Sequence, residues 1–158
     1  MADARYLPFP ENSFQIAFSY SVLQHFSREN VELALSEIRR VLSPGGTALI
    51  QMPNKLGVRS LYHRMRRGGN GKRGVFRVRY WSLSELKERF SCLIGPSSVS
   101  VDGFFGLGIQ PSDLQLLQPH LKLIVISSEA LRKVSRQIPA LNNLADSLYV
   151  TATKATSA

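Results

Sequence analysis

The 158-residue chain is short of three things, and each shortage removes a class of explanation. It has a single cysteine, Cys92, which excludes an internal disulfide and any multi-thiolate metal centre and fits a cytoplasmic protein. Its three histidines, His25, His63 and His120, stand far apart without ligand spacing, so no metal site is expected. No apolar run approaches the roughly 18 residues of a membrane span, and the first residues lack the charged-then-apolar pattern of a signal peptide. Acidic residues are also scarce in one place: none occurs between Glu37 and Glu85, a stretch that holds Arg39, Arg40, Lys55, Arg59, Arg64, Arg66, Arg67, Lys72, Arg73, Arg77 and Arg79. The formal charge of +9 is therefore a local feature.

What is present is a chain of one-domain size, 44% hydrophobic, able to bury about 70% of its unfolded surface. Residues 14–19 (FQIAFS) are a short apolar run after the turn-forming Pro10-Glu11-Asn12-Ser13. They read as a strand covered on both faces, in the manner of a parallel sheet. Val31, Ala34, Leu35, Ile38, Val41 and Leu42 then recur at spacings of three and four, which predicts a helix with one buried face and Ser27 as its N-cap. Pro44-Gly45-Gly46 is expected to stop that helix in a type II turn with positive φ at Gly45, and 47–52 (TALIQM) to form the next strand. Strand, helix, strand in this order predicts a βαβ unit.

Beyond it, 56–66 predicts a short basic helix, and Gly68 to Gly74 a mobile loop. Residues 75–80 alternate like a short strand. Trp81 precedes Ser82-Leu83-Ser84-Glu85, a capping box that opens a helix to about Phe90. A strand is predicted over 96–102, then an aromatic loop over 103–108 that either borders an acceptor pocket or anchors the core, and a helix start at Ser112-Asp113 with Pro119 as its stop. Residues 121–138 carry strand propensity at Leu-Ile-Val-Ile but their length favours a helix, followed by a helical turn near 140–145 and a last strand over 148–154.

Several motifs in the first third agree in order and spacing with one family. Asp3-Ala4, Leu7-Pro8-Phe9-Pro10, Asn12-Ser13-Phe14, Val22-Leu23-Gln24-His25 and the run from Glu37 through Ser43-Pro44-Gly45-Gly46 resemble the class I S-adenosylmethionine-dependent methyltransferases of the small-molecule type. The resemblance implies an α/β fold, a partial Rossmann-like sheet of parallel strands with an antiparallel C-terminal strand, flanked by helices. It implies S-adenosylmethionine as cofactor, with Asp3 accepting from the adenine amine, the backbone after it at Ala4 facing a ring nitrogen, Ser19 and Tyr20 lining the methionine end, and Leu23 and His25 at the pocket wall. His25 is the residue best placed to act as a base, although a histidine there is more often a packing residue. Gln15 stands where the family usually has an acid.

The family's Gly-rich turn and the acid that holds the ribose hydroxyls do not occur in the 158 residues. The resemblance thus covers the second half of the family fold, and the chain is expected to be one domain with a basic insertion or lid at 55–80. A half layout would leave an apolar parallel edge unpaired and prone to association. It also suggests a truncated or non-catalytic fragment, or the partner of a chain supplying the Gly-rich half. The acceptor is expected to be a small molecule, with an anionic group if the basic segment closes over it; a solvated basic face is the alternative. The same segment, with Tyr62, Phe76, Tyr80 and Trp81 interleaved, could contact nucleic acid. No nucleic-acid motif supports that reading, which ranks below a small molecule. Trp81 is expected to pack and not to recognise substrate.

Overall fold

A computed structural model describes residues 2–66, 78–105 and 115–156. The elements in order are β1 (Phe14–Ser19), α1 (Arg28–Val41), β2 (Leu42–Pro53), α2 (Val58–Arg66), α3 (Leu83–Leu93), β3 (Ser97–Gly103), α4 (Pro119–Ser135) and β4 (Ser147–Thr153), with 3-10 turns at Leu23–His25 and Pro139–Leu144. The four strands form one sheet in the order β1-β2-β4-β3. β1 and β2 are parallel, with Ser19 beside Ile50, whereas β4 runs antiparallel to both β2 and β3. This is the partial Rossmann-like arrangement that the family resemblance implies, including the antiparallel last strand.

Local chemistry accounts for most boundaries. The Ser27 hydroxyl accepts from the Asn30 N–H at 3.2 Å and starts α1. Ser82 and Glu85 complete the capping box of α3, the carboxylate accepting from the Ser82 N–H at 2.8 Å. Val31, Ala34, Leu35 and Ile38 of α1 and Leu86 and Phe90 of α3 pack on the sheet face that carries Ala48, Ile50, Met52, Val101, Leu148, Val150 and Ala152. Trp81 belongs to this core at 1% exposure, as does Phe104 at 3%, so the aromatic loop anchors the core through Phe104.

The other sheet face differs from expectation. Ile16 is 70% and Phe18 62% exposed, and among the described residues β1 pairs with β2 alone. An apolar run predicts a strand whatever lies against it, so the composition of 14–19 could not separate a strand covered on both faces from an edge strand with one open face. The first turn also differs. α1 ends at Val41 and β2 begins at once, so Pro44-Gly45-Gly46 lies within β2 as an irregularity where the register with β1 shifts. Gly45 does take φ +76°, and a Cβ on Gly46 would come within 2.8 Å of the Ser43 carbonyl and 3.1 and 3.2 Å of the Gln15 and Phe14 carbonyls.

Pro119 begins α4 instead of ending a helix: at the first helical position its missing N–H costs nothing and its φ is preset. α4 ends at Ser135, and Pro139 opens the 3-10 turn after it. The predicted segment at 75–80 lies outside the described residues up to 77, and 78–80 is not part of a strand. The glycine loop at 68–74, the start signal at Ser112-Asp113 and residues 106–108 also lie outside the described residues.

Candidate functional site

In an open α/β sheet, ligands sit beyond the carboxyl ends of the parallel strands. Here that edge is built from the segment after β1, the end of β2, and the start of antiparallel β4. Residues 19–25 follow β1 directly. Ser19 is half-buried, Tyr20 is 43% exposed, and Ser21 takes φ +60°, a left-handed conformation unusual for serine. Leu23 is 1% exposed and lies in the core, so it can border a ligand only through its backbone. His25 ends the 3-10 turn, its Nε2 lying 3.2 Å from Gln24 Nε2, and its carbonyl accepts from Arg79 Nη1 at 2.7 Å. Arg79 also donates its backbone N–H to the Gln24 carbonyl at 2.8 Å, which ties the end of the basic segment to the turn at 23–25.

The N-terminal segment is held against α1. Glu37 accepts from the Leu7 N–H at 2.9 Å and from Arg40 Nε at 2.8 Å, and Arg40 donates to the Leu7 and Phe9 carbonyls. These bonds to Arg40 and then to the Leu7 N–H hold the Glu37 carboxyl down to about 2. Asp3 is exposed, and both oxygens of its carboxylate accept from Arg5. Oδ1 accepts from the Arg5 N–H and Nε at 2.9 and 3.0 Å, and Oδ2 from Nε and Nη2 at 3.1 and 2.6 Å. The Arg5 side chain, then its backbone N–H, draw the Asp3 carboxyl down to about 2. Arg5 in turn reaches Asn30 Oδ1 at 3.3 Å. Ala4 packs against the core.

A second group, which sequence reasoning missed, fixes the base of α2. Asn54 follows β2, is 1% exposed, and donates Nδ2 to the Asn143 and Ala145 carbonyls, both at 2.8 Å. Asp146 Oδ1 accepts from the Arg59 and Ser60 N–H groups at the start of α2, at 2.7 and 3.2 Å, and the Ser60 hydroxyl donates to the Asn54 carbonyl. A carboxylate on the first turn of a helix is favoured by the helix dipole. Burial pushes the Asp146 carboxyl up, against the pull of those N–H groups. On α2 itself Tyr62 is 53% and Met65 85% exposed, whereas Leu61 is half-buried. Pairings this distant in sequence, such as Asn54 with Ala145, leave no local signal.

A third group crosses the sheet at its carboxyl edge: Ser21, Gln51, Ser147 and Asp102 bond in series, beside Tyr20 and Tyr149, whose ring centroids are 6.3 Å apart. No candidate metal cluster occurs among the described residues, and none of their helices is long and apolar enough to cross a membrane.

Comparison with known proteins agrees with this geometry. The family described as "Methyltransferase domain" matches residues 1–50. A tRNA (carboxymethyluridine(34)-5-O)-methyltransferase of Schizosaccharomyces pombe is 44% identical over 50 residues, which are 31% of this chain and 22% of that protein. Among solved structures, a SAM-dependent methyltransferase from Thermotoga maritima superposes with TM-score 0.59 at 16% identity, over 96% of this chain and 61% of its own. One from Methanosarcina mazei gives 0.60 at 14% identity, over 99% and 66%. A phosphoethanolamine N-methyltransferase of Haemonchus contortus, solved with S-adenosyl-L-methionine, gives 0.54 at 20% identity, over 98% and 36%. The chain spans about a fifth of the curated relative and 61% and 66% of the first two structures. Its first fifty residues match the methyltransferase domain family, and its described fold is that of the class I S-adenosylmethionine-dependent methyltransferases.

Proposed function

We propose that this chain carries one wall of an S-adenosylmethionine-dependent methyl-transfer site, formed by residues 3–4 and 19–25 at the carboxyl ends of β1 and β2. The observation that carries the reading is that the residues matching the methyltransferase domain, 1–50, are those that build β1, α1 and most of β2, with β1 and β2 in parallel register. Bound there, the cofactor would supply an electrophilic sulfonium methyl. The chain would supply the adenine contact at Asp3 and Ala4, the methionine end at Ser19 and Tyr20, the wall at Leu23, and His25 as a base for a protonated acceptor.

Asp3 fits its role with one rearrangement. Arg5 already presents three N–H donors to the carboxylate, its Nε shared between the two oxygens, so an adenine amine must compete with Arg5 for it. A hydrogen bond to a charged acceptor contributes about 1.5–3 kcal/mol, so Asp3 alone cannot hold the cofactor. With no Gly-rich turn or ribose-binding acid in the 158 residues, calorimetry should find S-adenosylmethionine bound weakly or not at all by this chain alone. Low-micromolar affinity would refute the assignment of one wall only.

For the acceptor we favour a small molecule carrying an anionic group, drawn by the acid-free stretch between Glu37 and Glu85. The second reading is a nucleic-acid acceptor. It is supported by the similarity to a tRNA methyltransferase over 50 residues and by the net charge of +9, and the similarity raises it above its rank from sequence alone. Filter binding of tRNA at about 50 and 200 mM salt separates the two. Nucleic-acid binding should weaken steeply across that range, and salt-insensitive or absent binding leaves the small acceptor.

A further inference from the structure

The hydrogen bonds that cross the sheet at its carboxyl edge have a direction. The Ser21 N–H donates to Gln51 Oε1 at 2.9 Å, Gln51 Nε2 donates to Ser147 Oγ at 2.7 Å, and the Ser147 hydroxyl donates to Asp102 Oδ2 at 2.6 Å. One member comes from each of the four strands or the residues beside it, and every donor points toward Asp102. The Gln51 amide has one orientation compatible with this, oxygen toward the Ser21 N–H, because its nitrogen there would face a second donor. Ser147 has a single hydroxyl proton and directs it at Asp102. Gln51 is 6% exposed, so water cannot readily replace either of its partners. At the far end Ser21 holds φ +60° directly after Ser19 and Tyr20.

We infer that Gln51, Ser147 and Asp102 are positioning residues: the ionised Asp102 orients the series, and the series holds Ser21, and with it the Ser19-Tyr20 wall, in place. The role of that wall rests on the proposed function, whereas the coupling of Ser21 to Asp102 does not. Several groups face Asp102. Tyr20 adjoins it from the end of β1, Ser147 and Tyr149 from β4, and Arg132 and Glu129 from α4, where they are paired at 2.6 Å. Burial pushes the Asp102 carboxyl up, opposed by the Ser147 hydroxyl and by Arg132. The orienting anion is therefore lost on acidification at a pH above the ordinary aspartate range.

The test is amide NMR on the full chain, combined with pH titration. The Ser21 amide should show a titration step with the same midpoint as the Asp102 carboxyl. Asp102→Asn should abolish that step with the fold intact. Ser147→Ala should abolish it at Ser21 while Asp102 still titrates, and Gln51→Leu should raise Ser21 exchange by about tenfold or more. Different midpoints for Ser21 and Asp102 in the unmodified chain would overturn the inference without any variant. A Ser21 step that survives Asp102→Asn or Ser147→Ala would also overturn it. S-adenosylhomocysteine added last separates the two ideas. A ligand shift at Ser19 to Ser21 that shrinks in Ser147→Ala supports the positioning role, and coupling without any ligand shift counts against the methyl-donor site alone.

Discussion

Asn54 offers the most informative perturbation, because one side chain joins the end of β2 to the turn before β4 and to the Leu56 N–H that leads into α2. Asn54→Ala removes the donor to the Ala145 carbonyl, a buried pair at 2.8 Å, and to the Asn143 carbonyl, which solvent can partly reach. It also removes the acceptor for the Leu56 N–H at 3.2 Å. Leaving the Ala145 carbonyl buried and unsatisfied costs about 1–3 kcal/mol, and the two more accessible losses add about 1 kcal/mol together. The expected total is about 2–4 kcal/mol. For a domain of this size that lowers Tm by roughly 4–16 °C. The assay is urea unfolding monitored by the fluorescence of Trp81, the chain's one tryptophan, whose backbone N–H donates to the Pro53 carbonyl beside the mutated residue. Asn54→Asp sharpens the test. It is nearly isosteric but aims a carboxylate at two carbonyls, so it should be worse than alanine at neutral pH and recover on acidification as that carboxyl takes up a proton. A loss under about 0.5 kcal/mol in Asn54→Ala, or no pH dependence in Asn54→Asp, would refute the reasoning.

Gly46→Ala puts a methyl within 2.8–3.2 Å of three backbone carbonyls and should cost about 1–3 kcal/mol in thermal unfolding, with β1 amides exchanging faster; an unchanged Tm would contradict the close approach. Glu37 has its carboxyl depressed from 4.5 to about 2, so its contribution is fully present above pH 4.5 and is lost as pH falls toward 2. The stability difference between the unmodified chain and Glu37→Gln should therefore be constant above pH 4.5 and shrink below it, and a difference independent of pH would count against the Leu7 and Arg40 contacts. The edge formed by Ile16 and Phe18 should make the chain associate with rising concentration, and Phe18→Lys should reduce this in light scattering; a monomer at all concentrations would rule out the sticky edge.

The elements are legible where the signal is local. The Ser27 cap, the Ser82-Glu85 capping box and the stripe from Val31 to Val41 each lie within a few residues of sequence, and the structure has all three. The antiparallel last strand is implied by family resemblance, since the residues alone carry no pairing direction. The open face of β1 is not legible because Ile16 and Phe18 are apolar whether or not anything covers them. Pro119 is ambiguous because proline punctuates both the stop of one helix and the first turn of another, and only the helical or non-helical course of the residues after it distinguishes the two. The Asn54-Asp146 anchor and the Gln51-Ser147-Asp102 series are invisible in sequence because their members are 45 to 96 residues apart and meet only through strand order. The occupation of Asp3 by Arg5 is in principle readable from their spacing of two, but an acid beside a base carries no signal until the turn at 3–6 is known.

The central claim is that residues 3–4 and 19–25 form one wall of a methyl-donor site. An amide shift map of the full chain titrated with S-adenosylhomocysteine tests it most directly, because it locates even weak binding. The account predicts shifts concentrated at Asp3 to Arg5 and Ser19 to His25, reduced by Asp3→Ala at the first cluster. Shifts confined to other segments, or none at saturating ligand, would contradict it.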